Sequence, residues 1–386
     1  MTTSELIDIA KKTAPLLREH AAEGERTGRL PRPSLEALRT GGFFRLFTPR
    51  TLGGHEADPV TVARVTEELA RADAAAAWAI MVASSGAWGM ARFPDQTAEE
   101  VFRDRDALIA SAFTSPVMAT PVRNGYRIHG RSPFASYMKD AAWAMATAVV
   151  QPMREGSPPS LIAALMPREQ AEVVDTWNAM GMRATESNDV VYRDVVVPEH
   201  RTYPLVGEFA PGRHFRGPLY RIPAMASSVG ATIAPVAVGI GAEAVEEVAR
   251  LAQEKTPFSS STLLRDRPHA QLRLAQAEGL VRSARHTLHA ELAACWERAQ
   301  RNEPSTLEQK SHMLLAAIQA VQQSAQAVEI AYTLAGGSAV YERNRLARLF
   351  RDAQVVKQHG LVSEPRYQTV GQVRLGLAPE MAFVAL

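Results

Sequence analysis

Apolar positions recur at helical spacing through residues 1–107. In SLEALRTGGFFRLF, Leu35, Leu38, Phe43 and Phe44 form the apolar set, Gly41-Gly42 interrupts it, and Ser34 is placed as an N-cap. VTVARVTEELARADAAAAWAIMVASSGAWGMARF keeps the same period with many alanines, which suits a buried helix that others approach closely. After Asp106 the texture changes. ALIASAFTS, GYRIHGRSPFAS, WAMATAVVQ, PSLIAALMP and DVVYRDVVVPEH are short, partly alternating and punctuated by Gly, Pro and Asn, which predicts strands of a small sandwich or barrel. NGYRIHG holds an Asn-Gly turn, and EGSPPS (155–160) reads as a short loop. After the connection PGRHFRGPLYRIP, helical periodicity returns near 224–254, 268–300, 305–335 and 343–359. The expected organisation is α+β: an N-terminal helical domain (1–107), a central β domain (108–215) and a C-terminal helical bundle (216–386).

Composition narrows the partners. The net charge is +2 with no long run of like charges, which argues against nucleic acid or an anionic membrane surface. The apolar runs look about half as long as a membrane span requires, and MTTSELIDIAKKTAPLLREH reads as an amphipathic helix rather than a leader. One cysteine, Cys295, excludes an internal disulfide and a cysteine metal cluster, so a reducing, cytoplasmic setting is expected. His286 and His289 share a helix face without nearby ligands and read as solvated surface, so no metal is expected. The spaced glycines of GIGAEAVEEVAR lie inside a helical pattern and read as close packing, not as a dinucleotide fingerprint.

LAGGSAVYERNRLARLFRDAQVV carries more. Gly336-Gly337 breaks a helix, and the next begins with Arg343, Arg345, Arg348 and Arg351 following closely. Amide groups freed at such a turn, beside guanidiniums, suit a phosphate; a C-capping glycine before a solvated basic face is the plainer reading. A Gly-Gly break followed by an LxRDA helix, behind a helix–β–helix chain, resembles the acyl-CoA dehydrogenase superfamily. WNAMGMRATESNDVVYRDVVVPEHR (177–201) resembles that family's strand pair ending in a V-P-E/D turn. GRSPFASYMKDAAWAM (130–145) is similar to its segment beside the flavin ring.

The resemblance also separates two branches. Dehydrogenases with their base on this helix place a glutamate eight residues after the Asp of RD; here that position is Gly360, and SAFTSPVMATPVRNG lacks their acidic segment. A base relocated to Glu243, Glu246 or Glu247 is the alternative. Two-component flavin-dependent monooxygenases place a histidine seven residues after that Asp, here His359. On a continuing helix it would project from the Asp352 face, and an imidazole titrating near neutrality can hold or take a proton. This branch implies reduced FMN or FAD from a separate NAD(P)H:flavin reductase, O2, a small-molecule substrate and a homotetramer. By the same likeness Ser136 sits near flavin N5, with Phe134 beside it, Trp143 walls the ring, and Arg183, Thr185 and Ser187 border it. Gly336, Gly337 and Arg351 meet the phosphates of a neighbouring subunit's flavin. Hydroxylases of simple phenols carry a histidine eight residues after Trp78; here it is Gly86, which is expected to open the pocket between Trp78 and Trp88 to a bulkier aromatic, a heteroaromatic or an amine.

Overall fold

The computed structural model describes residues 1–150, 160–205, 207 and 210–385. The loop expected over EGSPPS falls, up to Pro159, outside them.

The chain opens with helices α1 (Thr3–Thr27), α2 (Arg32–Thr40), α3 (Pro59–Ala72), α4 (Ala74–Gly89) and α5 (Asp95–Val101). Their ends follow local chemistry. Thr2 and Glu5 form a reciprocal capping box on α1, which stops at Gly28 with φ 68°. Asp58 caps α3 through the Thr61 N–H, and Asp73 caps α4 through the Ala75 N–H. Ser34 is not a cap: α2 begins three residues earlier behind Pro31, and Ser34 is buried inside the helix. Almost every residue of α4 is buried, because the helix lies between the other helices and the sheet.

The strands are β1 (Ile109–Val122), β2 (Gly125–Ala135), β3 (Trp143–Val150), β4 (Ser160–Pro167), β5 (Glu172–Val174), β6 (Asn188–Pro198) and β7 (Thr202–Pro204). They form one seven-stranded sheet in the order β5-β6-β2-β1-β3-β4-β7, antiparallel except where β1 runs parallel to β3. Register shifts in β1 and β2 bend the sheet, the device by which sheets curl toward barrels. The β1–β2 hairpin turns through Arg123 and Asn124, the latter at φ 63°. Gly125 is required for a different reason: a Cβ there would collide with the Val197 carbonyl of the paired strand.

Helices return as α6 (Ile233–Glu254), α7 (Pro268–Gln300), α8 (Leu307–Ala335), α9 (Arg345–Val356) and α10 (Tyr367–Arg374), with a short π-helical stretch at Met225–Gly230. α6, α7 and α8 pack together, α9 lies on α6 and α8, and α3 packs onto α6, so one core runs through both helical regions and the sheet. Two helical stretches, Ala74–Arg92 and Met225–Glu254, are long and apolar enough to cross a membrane, contrary to the sequence reading, and 89% of the apolar 18-residue window in each is buried in this core. His289 also departs from expectation. It bonds Glu67 of α3 at 2.6 Å across the α3–α7 contact, while His286 is exposed.

Candidate active site

The site is built where the N-terminal half of α4, the end of β2, the turn before β6 and the turn after α9 meet. Trp78 is a buried residue of α4, one turn past the Asp73 cap. Its indole N–H donates to Ser136 Oγ at 3.2 Å. Ser136, just beyond β2, lies 2.7 Å from Ser187 Oγ, and Ser187 lies 2.7 Å from Thr185 Oγ1. Thr185 Oγ1 donates to the Met182 carbonyl at 2.8 Å. On its other side the Trp78 ring meets the His359 imidazole edge-on, with centroids 5.5 Å apart. The two residues expected to act, Ser136 and His359, are therefore bridged by one indole.

His359 does not extend the helix as expected. α9 ends at Val356, capped by Lys357, and His359 lies in the following turn with its N–H on the Val356 carbonyl. Its Nδ1 accepts a long bond, 3.4 Å, from the Leu361 N–H. Although the residue is partly exposed, desolvation of the ring against its apolar surroundings pushes the imidazole down to about 4. It is neutral at pH 7, with its one proton on Nε2, so it presents a donor rather than the near-neutral titrating group foreseen from sequence.

The loops carrying these groups hold a non-glycine left-handed residue at each corner: Phe134 (φ 63°), Tyr137 (57°), Met182 (51°) and Glu186 (44°). Each such conformation costs on the order of 1–2 kcal/mol, and clustering of that strain marks functional sites. It is held by cross-links. The Tyr137 N–H donates to the Thr185 carbonyl, and the Tyr137 hydroxyl to the Ala75 carbonyl in α4. The Met182 N–H donates to Asp352 Oδ1 at 2.6 Å, and Gly181 lies so close to the α9 backbone at Arg351 that no Cβ would fit. Burial raises Asp352 to about 7. Met182 and Tyr137 escaped the sequence reading, and Asp352 entered it only as a landmark, because nothing in their residue types signals φ > 0 or burial.

Beside Ser136 the surface is apolar and open. Phe134 is 55% exposed and meets the Trp177 ring edge-on at 6.2 Å, and Trp177 Nε1 bonds the Met182 carbonyl. Phe113 of β1 is exposed as well, and Ser132 Oγ of β2 donates to the Ser115 carbonyl of β1 at 2.7 Å. Arg183, in the turn that carries Thr185, is part-exposed, with no ion pair among the described residues.

Other expected site residues lie elsewhere. Gly86 opens no pocket: a Cβ there would stand 2.8 Å from Ile109 Cβ, so the missing side chain lets α4 sit on β1. Trp88 is about 15 Å further along α4 by helical rise, its indole bonded to the Leu219 carbonyl and Arg92 over its ring. Trp143 begins β3 with the Arg201 guanidinium 5.2 Å over its ring. Arg351 pairs with Glu25 of α1 at 2.6 Å, and Arg345 with Glu243, so neither reaches outward to phosphate. Gly336 and Gly337 are exposed at the end of α8, on an open cavity of about 450 Å³ whose cations are Lys255, Arg267 and Arg273 rather than the α9 arginines.

Residues 8–101 match the acyl-CoA dehydrogenase N-terminal domain, and residues 231–364 the acyl-CoA dehydrogenase C-terminal domain. The chain belongs to the acyl-CoA dehydrogenase family. Within that family its relatives are oxygenase components of flavin-dependent monooxygenases. It is 29% identical to an indole-3-acetate monooxygenase of Pseudomonas putida, covering 94% of this chain and 91% of the relative. Identity is also 29% to the oxygenase component of an FADH2-dependent resorcinol hydroxylase of Rhizobium sp., over 97% and 95% of the two chains. The fold superposes on the 3-HSA hydroxylase of Rhodococcus sp. RHA1 with a TM-score of 0.91 at 28% identity, each chain 98% covered. XiaF from Streptomyces sp., solved with FADH2 and glycerol, gives a TM-score of 0.91 at 26% identity, with 98% and 97% covered.

Proposed function

We propose that this chain is the oxygenase component of a two-component monooxygenase that takes reduced FMN or FAD from a separate NAD(P)H:flavin reductase and uses O2 to oxygenate a small aromatic, heteroaromatic or amine substrate. The observation that carries this reading is the meeting of Ser136 and His359 across Trp78, with no free carboxylate where a dehydrogenase needs its base. Gly360 offers none. Glu243 is committed to Arg18, Arg250 and Arg345 at 3.2 Å and Arg71 at 3.5 Å, Glu247 pairs with Arg250, and Glu246 faces outward. These commitments count against the relocated-glutamate alternative.

The residues fit a reduced flavin. A flat ring needs apolar surface and a polar partner at its edge, and exposed Phe134 with Trp177 beside buried Ser136 supplies both. Unpaired Arg183 suits the negative charge a reduced ring can carry. A bound reduced flavin would supply two electrons for O2 activation and the substrate the other two, so that one oxygen atom would enter the substrate and the other leave as water. Ser136 holds the ring edge, and Trp78 fixes the spacing between Ser136 and His359. His359, neutral, donates its Nε2 proton in a hydrogen bond to an oxygen in the pocket, or orients a substrate hydroxyl. The aromatic substrates in the relatives' names, indole-3-acetate and resorcinol, favour an aromatic here too.

Assembly as a cytoplasmic homotetramer belongs to the same proposal. Gly336, Gly337, Lys255, Arg267 and Arg273 would then hold the phosphates of a neighbour's flavin, and Phe258, 99% exposed at the rim of that groove, would be covered by the neighbour. The deciding experiment supplies reductase, NAD(P)H and ¹⁸O2 with a panel of aromatic substrates. One labelled oxygen in the product supports the reading. Thioester-dependent flavin reduction without oxygen incorporation defeats it.

A further inference from the structure

α9 stops at Val356, and the turn that carries His359 is open on one side. A cavity of about 260 Å³ lies there, walled by Gln322 and Glu329 of α8 with Lys357, Glu364 and Tyr367. Val356 and Val362 are buried at the two ends of the turn. Apolar contact of that kind is non-directional, so hydrogen bonds must orient the peptide groups between them. Some of these bonds are local. The His359 carbonyl accepts from the Val362 and Ser363 N–H groups, the Leu361 N–H donates to His359 Nδ1, and Arg366 Nε donates to the Gly360 carbonyl at 2.6 Å. A tie to another helix comes from α8. Gln322 Nε2 donates to the Lys357 carbonyl at 3.5 Å and to the Val362 carbonyl at 3.3 Å. These two residues bracket His359, and a primary amide is a neutral group that carries two donors on one atom.

We propose that Gln322 is a positioning residue for His359, holding both ends of its turn so that the imidazole stays against Trp78 and aimed at the substrate. The inference rests on the oxygenase reading of the site. Both bonds are long, and long bonds add little to stability. Position is a different matter, since a shift of roughly 1 Å in a reacting group can cost about 10²-fold in rate. Loss of the Gln322 donors therefore shows in the fate of the oxygen before it shows in melting. A displaced imidazole leaves flavin oxidation running and diverts it to hydrogen peroxide.

The test supplies the full-length protein with reductase, NAD(P)H, ¹⁸O2 and an aromatic panel led by indole-3-acetate and resorcinol. It reads labelled product and peroxide per reduced flavin, the KM for reduced flavin, and the melting temperature. Gln322→Met keeps the length of the side chain and loses both donors. Its product yield should fall about tenfold, short of the cost of a full misplacement, with peroxide making up the difference and the flavin KM unchanged. Gln322→Lys restores several donors on one nitrogen beside the open cavity and should recover the wild-type yield. A role in packing alone predicts the reverse order, because Lys adds a charge and Met does not. The decisive comparison adds His359→Ala. A residue acting only through the imidazole then has nothing left to position, so Gln322→Met should cost nothing further in that background. Losses that multiply in the double variant would overturn the inference, as would a wild-type yield in Gln322→Met alone. If Gln322→Met misfolds, Gln322→Lys decides, and a folded Lys variant without the wild-type yield also overturns it. A wild type that labels no member of the panel refutes the oxygenase reading itself, a distinct failure that takes this inference with it.

Discussion

At the scale of single residues, His359 and Asp352 carry opposite pH signatures. An exposed histidine takes up a proton near pH 6.5, whereas folded His359 resists until about 4. Between those values the unfolded chain binds more protons, so stability is full above pH 6.5 and falls as the pH drops toward 4. His359→Ala should make that slope shallower, leaving the part due to His55, which burial also pushes down to about 4. It should also lower product formed per reduced flavin by about 10²–10⁴-fold, with flavin oxidation diverted to hydrogen peroxide. Product, peroxide and melting temperature on one preparation check it; unchanged coupling would leave His359 as no more than a helix-end residue. Asp352 runs the other way. Its folded value of about 7 stands above the ordinary carboxylate near 3.9. Between the two the folded state holds the extra proton, and stability declines as pH rises. Asp352→Asn keeps an acceptor for the Met182 N–H but cannot ionise. It should gain stability relative to wild type from pH 4 to pH 8, as read by denaturant titration at each pH. Neither signature was visible in the sequence. The spacing from Asp352 located His359, but its neutrality comes from burial that only the fold imposes, with Trp78 from far away in the chain set against its ring.

Among the elements, α6 ties the helical regions together through one buried carboxylate. Glu243 faces Arg18 of α1, Arg71 of α3, Arg345 at the start of α9 and Arg250 of its own helix. Removing its charge leaves four guanidiniums facing one another. Breaking a buried pair costs about 3–5 kcal/mol, and the partial exposure of Arg18, Arg71 and Arg250 places Glu243→Gln toward or below the lower end. Thermal unfolding should show the loss, while oxygen incorporation by the folded fraction continues; its disappearance would restore Glu243 as a candidate base. The helices themselves were legible because alanine-rich periodic runs with caps leave few alternatives, and α7 follows its expected span, 268–300, to the residue. The end of α9 was not. Its periodicity runs on toward His359, and nothing local announces that the chain leaves the helix after Val356. Gly86 misled for a related reason. An absent side chain reads as free space in a sequence, and only the fold reveals that Ile109 fills it.

For the whole molecule, the groove at Gly336 and Gly337 and the bare ring of Phe258 predict the oligomer. Light scattering should give a tetramer, and Phe258→Asp should shift it toward smaller species and weaken flavin binding at least tenfold, on the order of the loss of one well-buried aromatic anchor. A monomer that binds flavin at full affinity would count against the shared site. The order in which the site's parts occur along the chain has its own consequence. The ribosome makes Trp78, Ser136 and Ser187 well before His359. At about 5–20 residues per second, translation leaves tens of seconds between the first and the last. During that time a nascent chain can neither close the pocket nor present the Nε2 proton. A truncated product has the same deficit. Coupled oxygenation therefore waits on the last-made helices, and any flavin that an incomplete copy oxidises is lost to peroxide.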